Sequence, residues 1–182
     1  MNVRRLYHGT IALFENVDVS MGKGFKDFGS GFYTTEDREH AEKLALRNRY
    51  IELDRLEMRG IKGQRVPAYL YEYDFDMDLV KKYNSKIFNY NADLEWSRFI
   101  LANRTCRTKA HNFDIVIGAT ADDDTKTTLK AYFAGAYGKP DSENALEMLI
   151  RFLETDKLSR QIYFGTQQAA DNLILVKRGV LA

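Results

Sequence analysis

Two segments near the start of the chain decide its fold: Leu6-Tyr7-His8-Gly9-Thr10, and then Asp27-Phe28-Gly29-Ser30-Gly31-Phe32-Tyr33-Thr34-Thr35. The first is typical of the end of a short strand, where a glycine lets another molecule approach the backbone. In the second, two glycines flank a turn that leads into a second strand. A histidine and a tyrosine, each beside glycine at a strand end, predict a pocket for a flat polar molecule. The imidazole hydrogen-bonds, the ring stacks and the open backbone binds an amide.

Length, charge and cysteine content limit the class of protein. The 182 residues predict a single domain, 1–182, with a core large enough to fold unaided. The formal net charge of +1 gives no overall field that would attract nucleic acid or a membrane. Cys106 is the only cysteine, which excludes an intrachain disulfide and favours a reducing compartment. Because there is no signal peptide and no apolar run as long as a membrane span, we expect a cytoplasmic protein with no membrane partner.

Hydrophobic periodicity predicts a chain that contains both strands and helices. The clearest strand runs from Ala68 to Asp76, where tyrosine and phenylalanine alternate with smaller or acidic residues. The other predicted strands are Arg4 to His8, Phe113 to Gly118, Arg160 to Phe164 and Leu173 to Lys177. The predicted helices are Glu36 to about Arg49 with a continuation towards Met58, Asp93 to Asn103, Thr127 to Tyr137, Ser142 to Glu154, and a short helix capped by Thr166.

Three common chemistries lack their sequence signatures. The three histidines, His8, His40 and His111, lie far apart and the chain has one cysteine, so we predict no metal site. Asp122-Asp123-Asp124 lacks the spacing of a calcium loop. A pair of Cys106 with one of the histidines has no local signature but stays open. Neither a Walker loop nor a Rossmann dinucleotide fingerprint occurs.

The two opening segments resemble the first two motifs of the ADP-ribosyltransferases of the diphtheria-toxin and poly(ADP-ribose) polymerase branch. That branch carries a His, a Tyr and a third residue, usually Glu, on three strands. The whole chain, from Leu6 to about Leu173, is similar to a bacterial family of compact ADP-ribosyltransferase-like proteins. The further landmarks are Glu95-Trp96, Phe99-Ile100, Asn103-Arg104, Phe113-Asp114-Ile115-Val116-Ile117-Gly118, Ala121-Asp122-Asp123, and Arg160-Gln161-Ile162-Tyr163-Phe164 followed by Thr166.

The resemblance implies an α+β fold, in which helices surround a split, strongly curved pair of small β-sheets that hold NAD, as a substrate, in a cleft. Gly9 would bind the nicotinamide carboxamide through its backbone, so that a side chain there would obstruct it. His8 would hydrogen-bond a ribose hydroxyl and Tyr33 would stack on the nicotinamide ring. Thr10 and Gly31 complete the set of residues expected to contact NAD. These residues would hold the glycosidic bond so that nicotinamide can leave.

Gln161 stands where the resemblance places the third residue, the glutamate. A glutamine hydrogen-bonds a ribose hydroxyl but carries no charge and cannot act as a base. We therefore expect the catalytic set to be Gln161, Tyr33 and His8, with transfer of a single ADP-ribose rather than a polymer. Glu154, Asp122 and Asp123 are candidate replacements for the missing carboxylate. The alternatives are a catalytically silent NAD-binding or nucleotide-binding module, or an NAD glycohydrolase that uses no acceptor.

The resemblance leaves the acceptor open between a protein and a nucleic acid. It also suggests an intracellular toxin of a toxin–antitoxin or phage-defence module, with an antitoxin protein as partner. Three further expectations concern charged residues and a histidine. Arg104 and Asp114 should form a structural ion pair or contact substrate, while Arg104, Arg107 and Lys109 should form a solvated basic cluster. We expect His40 to be a structural or surface residue.

Overall fold

The protein is described by a computed structural model that covers residues 2–89, 93–121, 123–153 and 159–182. Seven strands and five α-helices occur in these residues. The strands are β1 (Val3–Thr10), β2 (Phe32–Thr35), β3 (Ala68–Asp76), β4 (Ser85–Ile87), β5 (Ile115–Ala119), β6 (Arg160–Phe164) and β7 (Ile174–Leu181). The helices are α1 (Arg38–Met58), α2 (Leu94–Arg104), α3 (Asp123–Phe133), α4 (Glu143–Phe152) and α5 (Gln167–Ala170). Two short 3-10 turns lie at Val19–Met21 and Met77–Lys82.

The strands form one sheet in the order β4-β5-β6-β2-β1-β3-β7, so the predicted α+β class is confirmed. All neighbours are antiparallel except β4 and β5. β1 pairs with β3 along its whole length, from Val3 opposite Asp76 to Thr10 opposite Tyr69. By contrast, β1 and β2, which are both fully described, pair only at Tyr7 and Thr35. The sheet is therefore continuous but narrow at its middle, where we predicted two separate small sheets.

Apolar residues alternate along the central strands and supply a core on each face of the sheet. On β5, Val116 packs in one cluster while Ile115 and Ile117 pack in the other. On β6, Tyr163 and Ile162 divide in the same way. The first cluster also contains the buried stripes of α2 and α4, and the second contains the aromatic residues of β3. This period of two is the reason that the sheet is covered on both faces.

Helix α1 follows β2 directly and covers the narrow middle of the sheet. The Asp37 carboxylate caps it by accepting a hydrogen bond from the backbone N–H of His40 at 3.0 Å. The helix continues to Met58, as predicted, and the chain turns at Gly60, which has a φ of +78°. Ala41 and Ala45 are its buried residues, and their small side chains bring the helix backbone close to β1.

Several boundaries differ from the sequence-based prediction. Helix α3 ends at Phe133 rather than Tyr137, because Gly135 follows with a φ of +78° and ends the turn. Strand β7 extends to Leu181, four residues beyond the predicted Lys177, because it pairs with nearly all of β3. The three-residue strand β4 is too short to show alternation and was not predicted. Among the described helices, none combines the length and the apolar composition that a membrane span requires.

Candidate functional site

A cavity of about 670 Å³ opens where β1 and β2 diverge beyond the Tyr7–Thr35 pair. Its volume is in the range of small-molecule sites. Strand residues, one face of α1 and the loops before β2 and after β5 line it. The lining residues are Tyr7, His8, Gly9, Thr10, Phe25, Lys26, Asp27, Tyr33, Thr34, Thr35, His40, Ala41, Leu44, Arg47, Asn48, Ile51, Arg104, Thr120, Ala121 and Gln161. The narrow middle of the sheet therefore creates the cavity.

His8 bridges the two diverging strands with its side chain. Its Nδ1 lies 2.7 Å from the backbone carbonyl oxygen of Tyr33. Burial lowers the pKa of His8 to about 4, although this hydrogen bond acts in the opposite direction. The ring is therefore neutral near pH 7. Because a carbonyl oxygen only accepts hydrogen bonds, Nδ1 carries the proton and Nε2 carries the lone pair. The site thus holds a fixed acceptor nitrogen.

Tyr33 is held rigidly and its hydroxyl is occupied. The hydroxyl donates to the carbonyl oxygen of Gly29 at 2.6 Å and accepts from the N–H of Phe28 at 3.0 Å. Its ring packs edge-to-face on Tyr163, with 5.0 Å between the ring centres. Burial, with the nearby negative charge of Asp27, raises the pKa of Tyr33 well above its usual value. Tyr33 therefore offers a ring of fixed orientation rather than an acid or a base.

Gln161 lies on β6, where it is 7% exposed and lines the same cavity. Its Nε2 donates to Asp27 Oδ2 at 2.9 Å and to the carbonyl oxygen of Ala119 at 3.2 Å. Both partners only accept hydrogen bonds, so the amide can have only one orientation. Oε1 is therefore the end of the amide that is turned away from Asp27 and Ala119, and it bonds to no residue in the described part of the chain. It is available as an acceptor for a ligand in the cavity.

Asp27 is a residue of the site that sequence reasoning missed. It is 6% exposed, and its Oδ1 accepts from Arg104 Nε at 2.8 Å while Oδ2 accepts from the N–H of Ala121 at 2.9 Å. The prediction that Arg104 pairs with Asp114 was wrong: Asp114 accepts instead from the backbone N–H of Asn84. The one feature of the sequence that could have identified Asp27 is its place as the first residue of the second motif. The neighbouring sequence does not show that its side chain contacts Arg104 on α2 and Gln161 on β6.

The solvated basic cluster that we predicted does not exist as a unit. Arg104 forms an ion pair with the buried Asp27, and its side chain is only 16% exposed. Lys109 donates to the carbonyl oxygen of Gly165 at 2.8 Å. Arg107 alone of the three is fully at the surface. A buried carboxylate needs a charged donor, which explains why one member of the group points inward.

The predicted glycines and Thr10 have different environments. A Cβ on Gly9 would overlap the carbonyl oxygen of Ala41, so close packing of α1 on β1 requires glycine here whether or not a ligand is bound. Gly31 does not line the cavity, and a Cβ there would overlap the ring of Tyr163. Thr10 does line it, and its Oγ1 accepts from the N–H of Ala12 at 3.1 Å.

Helix α1 and the loop before β2 form the mouth of the cavity. His40, which we predicted to be a structural or surface residue, lines the cavity. Arg47 on α1 and Lys26 in the loop before β2 both line the cavity, and both are exposed. Phe25 is 59% exposed beside them and has a φ of 59°, which is unusual for an aromatic residue. The mouth therefore combines two cations with an exposed ring.

Thr120 supplies an unused polar group. Its Oγ1 is buried and makes no hydrogen bond to any residue that the structure describes, although the residue lines the cavity. Buried hydroxyls are normally bonded, so this one is suited to a ligand or a water. Of the candidate replacement carboxylates, Glu154 and Asp122 lie outside the described residues, as does the side chain of Asp123. In the described ranges, no group of three metal-ligating side chains comes together.

The fold thus collects His8, Gly9, Thr10, Tyr33 and Gln161 from three strands into one cavity, without Gly31. Residues 4–175 match the family described as "Protein of unknown function (DUF3990)". No curated protein matches the chain. No solved structure matches it either.

Proposed function

This chain belongs to the DUF3990 family, and we propose that it is a mono-ADP-ribosyltransferase that cleaves NAD and transfers one ADP-ribose to a macromolecular acceptor. The observation that carries the proposal is the meeting of His8, Tyr33 and Gln161 in one cavity. These residues were singled out by resemblance and lie far apart in the chain. The tertiary fold therefore brings the three residues together from β1, β2 and β6.

The nicotinamide end of NAD fits the inner part of the cavity. The ring of Tyr33 has both its hydroxyl bonds and its packing fixed, so it offers a rigid stacking surface. The backbone of Gly9, close to α1, supplies polar groups for the carboxamide. The lone pair of His8 Nε2 accepts a hydrogen bond from a ribose hydroxyl, because the proton is held on Nδ1. Each group orients the substrate and none needs to exchange a proton with it.

The outer part of the cavity suits the pyrophosphate of NAD. Lys26, in the loop before β2, and Arg47, on α1, both line the cavity, and a pyrophosphate carries two negative charges between two sugars. Leu44 and Ile51 on the same face of α1 give an apolar surface beside Arg47 for an adenosine. NAD would then extend from Gln161 to the helix face.

The reaction requires that the bond between nicotinamide nitrogen and ribose C1′ breaks, with its electron pair going to the nitrogen. The ribose becomes positively charged, as in glycoside hydrolysis. Gln161 Oε1 can accept from the ribose 2′-hydroxyl and place its partial negative charge near that ring. The acceptor then bonds to C1′ and loses its proton to solvent or to its own surroundings, since neither Tyr33 nor Gln161 is suited to act as a base.

The physiological role rests on the resemblance alone. We include in the proposal that the protein acts inside the cell as a toxin controlled by an antitoxin, or in phage defence. Expression of the wild type should then inhibit growth, and His8→Ala should relieve the inhibition. His111→Ala is a matched control, because that histidine also bonds a backbone carbonyl, at 2.9 Å from Phe28, but lies outside the cavity. Equal toxicity of all three proteins would contradict this role.

The direct test is nicotinamide release from NAD by purified protein, with labelled NAD and cell extract. Gln161→Ala should lower kcat about a hundredfold, the usual effect of removing one group that stabilises a transition state. Tyr33→Ala should weaken NAD binding. Gln168→Ala and Tyr50→Ala are matched controls, since both residues are exposed and lie outside the cavity.

Transfer of label to a macromolecule supports the full proposal. Release of nicotinamide without transfer identifies an NAD glycohydrolase instead. NAD binding that Tyr33→Ala abolishes, without release, identifies a silent binding module. Absence of both binding and release overturns the proposal.

A further inference from the structure

We propose that Asp27 is a positioning residue that acts through Gln161, and that the two together replace the glutamate of related enzymes. The inference rests on the proposed function for its catalytic part. Its structural part stands on the contacts between the two side chains. Asp27 and Gln161 are 134 positions apart in the chain. One hydrogen bond of 2.9 Å connects them, in which the Gln161 amide donates to the Asp27 carboxylate.

The Asp27 carboxylate is held by donors on every side that the structure describes. Arg104 binds Oδ1, while the Ala121 N–H and the Gln161 amide bind Oδ2. The carboxylate is therefore immobile and its oxygens are occupied. It does not offer a free oxygen to a ligand, which means that any influence on NAD must pass through a neighbour.

Gln161 is the neighbour that transmits this influence. Its NH₂ group faces two acceptors, Asp27 and the carbonyl oxygen of Ala119, so a flipped amide would oppose oxygen with oxygen at both contacts. The orientation with Oε1 turned away from them is the stable one. Oε1 has no partner among the described residues, and Gln161 lines the cavity. Asp27, together with the Ala119 carbonyl oxygen, thus decides which end of the amide a ligand meets.

Asp27 also changes the electron distribution of the amide. An amide NH₂ group that donates to a charged carboxylate becomes polarised. The oxygen of the same amide then becomes a stronger hydrogen-bond acceptor. Gln161 Oε1 therefore carries more negative character than an exposed glutamine would. A buried site with few water dipoles strengthens the effect. The pair supplies part of the field that a glutamate would supply directly.

The same geometry explains why residue 161 is not a glutamate. A carboxylate at that position would lie within hydrogen-bond distance of Asp27 and beside the Ala119 carbonyl oxygen. Two carboxylates that close cannot both stay ionised without a large cost, and one must take a proton or move away. Glutamine at 161 is the residue that matches an aspartate at 27.

The test compares four proteins: the wild type, Asp27→Asn, Gln161→Glu and the double variant. The first measurement is the urea midpoint at pH 8, which does not depend on NAD. Gln161→Glu should lower the midpoint, and Asp27→Asn in the same chain should recover part of the loss. Additive effects of the two changes would show that the side chains do not interact and would overturn the inference.

The second measurement is kcat and KM for nicotinamide release. Asp27→Asn should lower kcat at least tenfold and change KM less than threefold, because Asp27 holds Gln161 and its own carboxylate oxygens are occupied by protein donors. The double variant should exceed Asp27→Asn in kcat, since it again presents a negative acceptor. Asp74→Asn is the control: Asp74 also binds an arginine Nε, that of Arg5 at 2.7 Å, but lies outside the cavity.

Gln161→Glu provides a result that does not need Asp27→Asn to fold. Although it restores the carboxylate of related enzymes, it should be slower than the wild type. A faster Gln161→Glu enzyme, or an Asp27→Asn enzyme with unchanged kcat, overturns the inference. A wild type that binds and cleaves no NAD while the urea midpoints show coupling overturns the proposed function and, with it, the catalytic part of the inference. The contact between the two side chains then remains established.

Discussion

The Nδ1 of His8 lies 2.7 Å from the carbonyl oxygen of Tyr33 and spans the gap where β1 and β2 have separated. In an ordinary antiparallel pair, this carbonyl would accept a backbone N–H from the opposite strand. Here an imidazole takes that place. One bond therefore satisfies a strand carbonyl, fixes the tautomer of the histidine and keeps the cavity open. The separation of β1 from β2 is thus both the irregularity of the sheet and the place where the cavity forms.

The tautomer and pKa of His8 can be measured directly. Because the ring is buried and bonded to a carbonyl, we expect nitrogen chemical shifts of a neutral ring protonated on Nδ1. The ring should stay neutral from pH 8 down to about pH 5, with a pKa of about 4. Nitrogen-detected NMR of histidine-labelled protein gives both results, and His8→Asn assigns the signal. A measured pKa near 6.5 for His8 would contradict the burial of its ring.

His8 should also make stability depend on pH. The unfolded chain binds a proton at this site below a pKa of about 6.5, whereas the folded protein does so only near 4. Stability therefore falls as pH falls between these values, by an amount on the order of 3 kcal/mol. Urea unfolding of wild type and His8→Asn should show a difference in unfolding free energy that shrinks from pH 7 to pH 4.5. A difference that stays constant would contradict the prediction.

Gly9→Ala should destabilise the protein without any ligand present. The new methyl group would overlap the carbonyl oxygen of Ala41, a backbone atom that can move only with α1. Overpacking of this kind costs about 1–3 kcal/mol. Gly179→Ala on β7 is the matched control, because nothing lies within 4 Å of its Cβ position. Thermal unfolding should show a lower Tm for Gly9→Ala alone, and equal Tm values would show that α1 does not pack as described.

Asp27→Ala should cost far more stability than removal of a surface charge. It would leave Arg104, whose side chain is 16% exposed, without its carboxylate and would also unpair the amide of Gln161. Loss of one partner of a buried pair costs about 3–5 kcal/mol. Glu36→Ala breaks an exposed pair with Arg4 and should cost less than about 1 kcal/mol. Chemical denaturation compares them, and similar losses would refute the burial of Asp27.

Arg47→Ala and Lys26→Ala should each raise KM for NAD about tenfold, if the mouth of the cavity holds the pyrophosphate. Neither change should lower kcat much, because the proposed role of these cations is to bind the pyrophosphate and not the ribose beside Gln161. Arg55→Ala is the control on the same helix, where the arginine pairs with Glu52 at the surface. The effect should weaken at high salt, as for any exposed charge. A fall in kcat without a change in KM would place these residues elsewhere in the reaction.

Local patterns in the sequence were sufficient for most of the fold. The alternation from Ala68 to Asp76 predicted β3 with the observed bounds, and the predicted strand from Arg160 to Phe164 is β6. Such patterns work because the period of side chains along a strand or helix depends only on the backbone. Strand β4 was not predicted, because three residues are too few to show a period. It forms by pairing with β5, which is distant in the sequence.

The sequence by itself determined most of the element types, and it predicted the set that includes His8, Tyr33 and Gln161. Only the tertiary structure decided that Asp27 binds Gln161, that Arg104 turns inward and that Gly9 is required by Ala41. The physical reason is that these contacts join residues distant in the chain, and burial gives them their strength. Desolvation makes an unpaired charge or amide costly, so partners are selected by the packing of whole elements and not by any local pattern.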